Sequence, residues 1–383
     1  MALHIMVLQK LIPQLAPKQS SNPSLFWGSF KTKNMKIILF LALVGLFSCS
    51  QKNISEDSVE YFTLSSFPVS KNIESKKYSY PEILTPHILT IKNGKVVLAS
   101  ISGENLIHII DQKTMEYLVG KGNPGEGPDE IMNVWEFDMG FNENTIWAYS
   151  NTGKSFNEFD LSDSSKSVVS KIRQSGDWIQ GMSMNWVKRN EIISYMNFSE
   201  NKFIVFDSLG KQISKVGPWS TTAKISDESK FVLSALNQGS KSINREKLKL
   251  VLAKVKFDEF EIFDLNDQTV KVLKGPINEE FNYTIQADGN VNVAIADENS
   301  VYGYNNSYIT ENYIFLVFIG KTRQQLVESK ETSRDIFQFD LEGNPIAHFK
   351  TNVSIRSIAV DEKEKKIYAI TEDREPGIAV FDY

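Results

Sequence analysis

Few side chains in this chain are placed to do chemistry. The run Gly120-Lys121-Gly122-Asn123-Pro124-Gly125 fits the spacing G-x-G-x-x-G. In a dinucleotide site that spacing lets backbone amides at a helix start approach a pyrophosphate. Here Glu126-Gly127-Pro128-Asp129-Glu130 follows, which offers no apolar helix and sets carboxylates where phosphates would lie. The loop therefore fails as a nucleotide site. Its carboxylates, Glu126, Asp129 and Glu130, are instead weak candidates for calcium, which takes hard oxygen ligands. They lack the alternating spacing of a dedicated calcium loop, and a solvated turn is the competing reading. His4, His87, His108 and His348 form no closely spaced metal pair, and there is no Gly-x-Ser-x-Gly elbow. No catalytic residue is assigned. Tyr302, Tyr304 and Asn305 remain, beside a charged insertion at Lys321–Arg334. Two aromatic rings and an amide there are candidates to line a mouth for a sugar or peptide. The competing reading is packing.

The elements that would carry these residues come from a repeated phrase, an apolar strand closing on Asp. It ends at Asp111, Asp160, Asp207, Asp264, Asp340 and Asp382, at intervals of 49, 47, 57, 76 and 42 positions. The residue before each Asp is Ile110, Phe159, Phe206, Phe263, Phe339 or Phe381. Turn residues and another apolar stretch follow several copies, as in Ser208-Leu209-Gly210-Lys211 and Leu341-Glu342-Gly343-Asn344. An Asp carboxylate accepts from amides two residues on, so each copy predicts a hairpin with Asp at its corner. Repeats of about 40–50 residues with several strands each are propeller blades. The sequence therefore predicts an all-β, six-bladed propeller over residues 58–383. The long intervals predict insertions in blades four and five, with helix near Arg245–Leu252. The last unit has three strands only, and Val59–Leu64 is an unpartnered strand. The expectation is that this N-terminal strand joins the C-terminal blade and closes the ring, which removes exposed edges.

Net charge is −5, with both signs mixed and no basic stripe, so nucleic acid is not an expected partner. Lys36 precedes about a dozen apolar residues that end at Cys49, the single cysteine. The run is too short to span a bilayer and has the form of a signal-peptide core. Leu46-Phe47-Ser48-Cys49 resembles a bacterial lipobox, with Phe47 departing from the usual small or β-branched residue. Residues 1–34 read as an extension before a true start at Met35, 35–48 as a lipoprotein signal peptide and 49–57 as a polar tether. Cys49 is then the lipid attachment site and the membrane a partner through the lipid, since more than one acyl chain gives stable anchoring.

With the lipobox, the six hairpins and the loop Gly120–Ile131, the chain resembles the six-bladed propeller lipoproteins of Bacteroidetes, the TolB-like or NHL-like propellers. A Gly-Pro-Gly-Glu type of turn after the first blade marks them, and Pro124-Gly125-Glu126 and Gly127-Pro128-Asp129-Glu130 both approximate it. The resemblance implies a propeller in the bacterial cell envelope, as an outer-membrane lipoprotein. The expected function is a non-enzymatic binding module for a protein, peptide or glycan, without a cofactor. The alternative is a calcium-dependent lactonase or esterase, since hydrolytic propellers hold calcium in the central channel by carboxylates and amides scattered through the sequence.

Overall fold

The computed structural model describes residues 59–383 apart from 163–167, 220–229, 280 and 289–290. The extension 1–34, the signal segment 35–48, Cys49 and the tether 49–57 lie outside the described residues. The chain is an all-β propeller built of antiparallel four-stranded meanders. The first is Pro86–Lys92, Lys95–Ser100, Ile107–Asp111 and Tyr117–Lys121. The second is Glu136–Asp138, Thr145–Ser150, Ser155–Asp160 and Val168–Arg173. The third is Asn185–Lys188, Glu191–Tyr195, Asn201–Asp207 and Gln212–Pro218. The fourth is Gly239–Asn244, Lys249–Lys254, Glu259–Asp264 and Thr269–Lys274. An eight-stranded sheet then runs from Val301–Ile309 through Tyr313–Thr322, Ser333–Asp340, the long strand Pro345–Asp361, Lys366–Thr371 and Ile378–Asp382. The first half of the long strand pairs with Ser333–Asp340 and its second half with Lys366–Thr371.

The repeated Asp makes the corner that its chemistry requires. Asp111 Oδ1 accepts from the amides of Lys113 and Thr114 at 3.0 and 2.8 Å. Asp207 accepts from Leu209 and Lys211, Asp264 from Asn266 and Asp267, and Asp340 from Glu342 and Asn344, all between 2.7 and 3.1 Å. Asp382 instead accepts from Lys366 Nζ at 2.7 Å. The apolar residue before each Asp is buried, which fixes strand register by putting one side of the pleat into the core. Asn93 and Gly94 both take positive φ, as a two-residue hairpin needs.

Two expectations are corrected. Val59–Tyr61 does not join the last strand. It pairs in parallel with Thr269–Lys274, on the outer edge of the fourth meander. The chain continues as an outer strap: Val69–Ile73 pairs in parallel with the first half of the long strand, and Ser75–Tyr78 pairs antiparallel with Ile378–Asp382. The reason is apolar. Phe62 and Phe67 are buried among Phe260, Phe337 and Phe339, and these rings hold the segment against the fourth meander and the eight-stranded sheet. Second, the helix in the fourth insertion is Lys230–Leu236, not Arg245–Leu252, where a turn leads into the strand Lys249–Lys254. Lys249–Lys254 alternates against Glu259–Asp264 as the second strand of its meander, and this pairing overrides local helix propensity.

Candidate functional site

The first strands of successive units are tied side by side. Lys92 Nζ donates to the carbonyls of Met139, Asn142 and Thr145. Asp138 accepts from Trp186 N at 3.2 Å and Asn185 Nδ2 at 3.4 Å. Lys241 reaches both Asn185 Oδ1 and Glu136. Ser307 N donates to Ser240 Oγ at 2.9 Å, Ile358 N to Asn306 Oδ1 at 3.0 Å, and Leu89 N to Ser357 Oγ at 3.4 Å. These contacts pass from Pro86–Lys92 through each first strand and return to it.

Within this circle the second, third and fourth units contribute Glu136, Asp138, Asn185, Lys241 and Arg245. Arg245 Nη1 meets Asp138 at 2.8 Å and its Nη2 donates to Gly140 O at 2.5 Å. Gly140 N in turn donates to Asp138 at 2.7 Å. Burial pushes the Glu136 carboxyl up against the pull of Lys241, and burial pushes the Lys241 ammonium down against the pull of Glu136. The charges are spent on one another. The arrangement is a clasp across the centre rather than a nucleophile beside a base. Sequence reasoning did not pick these residues out. A signal was present: Asp138 and Asn185 each stand 22 positions before the Asp of their phrase, at 160 and 207, and Lys241 stands 23 before Asp264. Aligning the units on the phrase brings the three together.

Strand direction sorts the loops. In a meander the link from second to third strand and the link to the next unit leave at one end, and the other links leave at the opposite end. Among the described residues the long additions fall at the first end. They are the helix Lys230–Leu236, the hairpin of Tyr283–Asp288 with Val291–Ala296, and the helix Arg323–Ser329. Val232 and Leu236 pack on Phe281, with Phe257, Tyr283 and Tyr302 around them. The first helix and the hairpin thus form a capped corner with its own small core.

The aromatic candidates divide. Tyr302 belongs to this cap, with its ring 5.9 Å from Phe281. Tyr304 is fully buried between Phe260 and Phe318, and its hydroxyl donates to Gly275 O at 2.6 Å. It serves the core and not a mouth. Removing that hydroxyl in Tyr304→Phe leaves a buried carbonyl unpaired, and the expected loss is about 1–3 kcal/mol in urea unfolding. Asn305 Nδ2 donates to Arg356 O at 2.5 Å and links two first strands. The three residues therefore do not converge on one opening.

Glu126, Asp129 and Glu130 do not converge either. Among the described residues no three His, Cys, Asp or Glu side chains group as metal ligands. Glu130 accepts from Gly127 N at 2.8 Å, and Lys171 Nζ caps the carbonyls of Gly127 and Glu130 at 3.1 and 2.9 Å. A Cβ on Gly125, at φ +156°, would stand 2.0 Å from Glu130 Oε2. The loop is thus a closed turn whose glycine makes room for its own carboxylate.

Among solved structures the chain is similar to a Bacteroides fragilis protein described as exported, at 10% identity with a TM-score of 0.51, over 84% of this chain and 98% of that one. It is also similar to a DUF4221-family protein of Bacteroides vulgatus, at 12% identity with a TM-score of 0.47, over 81% and 98%. No curated protein matches. Residues 63–363 match the family described as TolB-like 6-blade propeller-like. That span runs from the outer strap through the corners and the central clasp, and on it the chain belongs to the TolB-like 6-blade propeller-like family.

Proposed function

We propose that this protein is an envelope lipoprotein, anchored through Cys49, whose six-bladed propeller binds a protein or peptide on the face that carries the insertions. The six-blade count takes the eight-stranded sheet as two blades that share the long strand Pro345–Asp361, with Ser75–Tyr78 as the outer strand that closes the ring. The observation that carries the binding role is the distribution of exposed apolar side chains. Ile101, Ile179, Phe198, Ile285, Ile295 and Val327 are exposed on that face, whereas the loops at the opposite end expose Phe141 and Leu209. Apolar side chains gathered on one face of a folded domain are the usual mark of an interaction surface. Rigid strands positioning long loops are also the common arrangement for recognition. The apolar run that ends at Cys49 supports anchoring.

Site-specific photo-crosslinking in intact cells tests the face. A crosslinker at Ile285 or Val327 is expected to trap a discrete protein adduct, and one at Leu209 is not. Equal trapping from both faces, or none from either, refutes the reading. Cys49→Ala is expected to abolish palmitate labelling and release the protein from the membrane fraction. Unchanged fractionation would remove the anchor.

A further inference from the structure

The strap steps from Val69–Ile73 to Ser75–Tyr78 at Glu74. A cleft of about 360 Å³ is lined there by Asn72 and Glu74, by Arg334 and Asp335, and by Lys350 to Asn352. This volume is at the small end of ligand sites. Two of its polar groups are held in place from behind. Asp335 Oδ1 accepts from His348 Nε2 at 2.7 Å. That imidazole is buried, with the Phe337 ring at 5.1 Å and the Phe67 ring at 6.0 Å. Arg334 is fixed by Glu331, at 3.1 and 2.6 Å, and by Asn352 O at 2.7 Å. Three of its five N–H donors are engaged in this way, and the side chain is held as a wall of the cleft. By contrast, among the described residues the side chains of Asn72, Glu74 and Lys350 make no hydrogen bond within the protein.

We infer that this cleft binds a neutral polyhydroxy ligand, a single sugar residue. Two cations, Arg334 and Lys350, face two carboxylates, Glu74 and Asp335, so the cleft does not select an ion of either sign. The lining has no apolar or aromatic side chain, which leaves nothing to recognise a hydrocarbon. What it offers is an ammonium and an amide as donors beside carboxylates as acceptors. A hydroxyl both donates and accepts, so adjacent hydroxyls can satisfy each kind of group. An Asp held by a buried His is pre-organised for this, because its orientation is set before the ligand arrives. The site lies at the insertion-bearing end, close to the helix Arg323–Ser329, but its lining includes none of the exposed apolar side chains and it does not depend on the anchored-module reading.

Saturation-transfer NMR on the full chain tests it, with the methyl glycosides of glucose, galactose, mannose and N-acetylglucosamine as probes and glycylglycine as the zwitterionic control. At least one glycoside is expected to receive saturation and glycylglycine none. Lys350→Ala and Asp335→Asn should each weaken binding about tenfold, the usual consequence of losing a hydrogen bond to a charged group. Lys350 is exposed on its strand, so its variant tests binding without threatening the fold. Saturation of no glycoside, binding of glycylglycine instead, or glycoside binding unchanged in both variants overturns the inference.

Discussion

Glu261→Ala is expected to destabilise the protein by about 3–5 kcal/mol, the cost of removing one partner from a buried ion pair. The Glu261 carboxylate meets Lys202 Nζ at 2.6 Å and Lys254 Nζ at 2.8 Å, and Lys254 also pairs with Glu259. The side chains of Lys202 and Glu261 have no exposed surface. Lys202 stands in the third meander and Glu261 in the fourth, so the network joins two units. Taking away the acid that both ammonium groups share removes the carboxylate that offsets their burial. Against a total stability of about 5–15 kcal/mol, that loss can decide whether the protein accumulates. Urea unfolding followed by tryptophan fluorescence measures it, and a change below about 1 kcal/mol would refute the account. Replacing Lys202 with Met together with Glu261 with Leu should recover part of the loss, because an apolar pair of similar volume does not strand a charge.

The same network fixes a sign for pH. Burial alone would raise the Glu261 carboxyl, but the ammonium groups of Lys202 and Lys254 outweigh it and hold it well below the usual carboxylate range. A carboxyl depressed in the folded state contributes stability above its unfolded value, near 4.5, and loses it as pH falls through the folded value. Stability should therefore fall as the medium is acidified below about pH 4.5, and Glu261→Gln should flatten that limb. An acid limb of unchanged slope in the variant would assign the loss to other carboxylates.

Much of the architecture was legible because the signal is local. A Phe or Ile followed by Asp specifies a buried strand end and a turn within a few residues, and Asp111, Asp207, Asp264 and Asp340 each make the corner so described. The outer strap was misplaced for the opposite reason. Val59–Tyr61 is β-prone wherever it lies, and its partner, Thr269–Lys274, is chosen by aromatic packing more than two hundred residues away in the chain. The candidate mouth failed on a related point. Tyr302 and Tyr304 look alike in sequence, yet the strand pairing shifts register between them. One ring enters the core and the other the cap. The central clasp needed an alignment of degenerate units, which becomes possible only after the phrase has been recognised as a marker of equivalent positions.

The strap also gives the second large effect. Phe62→Ala is expected to cost about 3–5 kcal/mol, the range for truncating a buried Phe. Its ring lies 5.2 Å from Phe339, 5.9 Å from Phe67, and 6.2 Å from both Phe260 and Phe337. Its backbone is held as well, by Phe62 N donating to Lys274 O at 2.9 Å and by Asn278 Nδ2 donating to Phe62 O at 3.3 Å. The neighbouring Tyr61 is exposed, so Tyr61→Ala alters the same strand without opening a cavity and should change stability by less than about 0.5 kcal/mol. The two variants separate packing from strand pairing. Because the strap covers outer edges only, its loss should be local before it is global. Limited proteolysis of Phe62→Ala is expected to cut first between residues 62 and 75, while the meanders resist. If Phe62→Ala keeps both the cleavage pattern and the unfolding midpoint of the unaltered protein, the aromatic cluster does not hold the strap. The parallel strand pairs would then have to carry it alone.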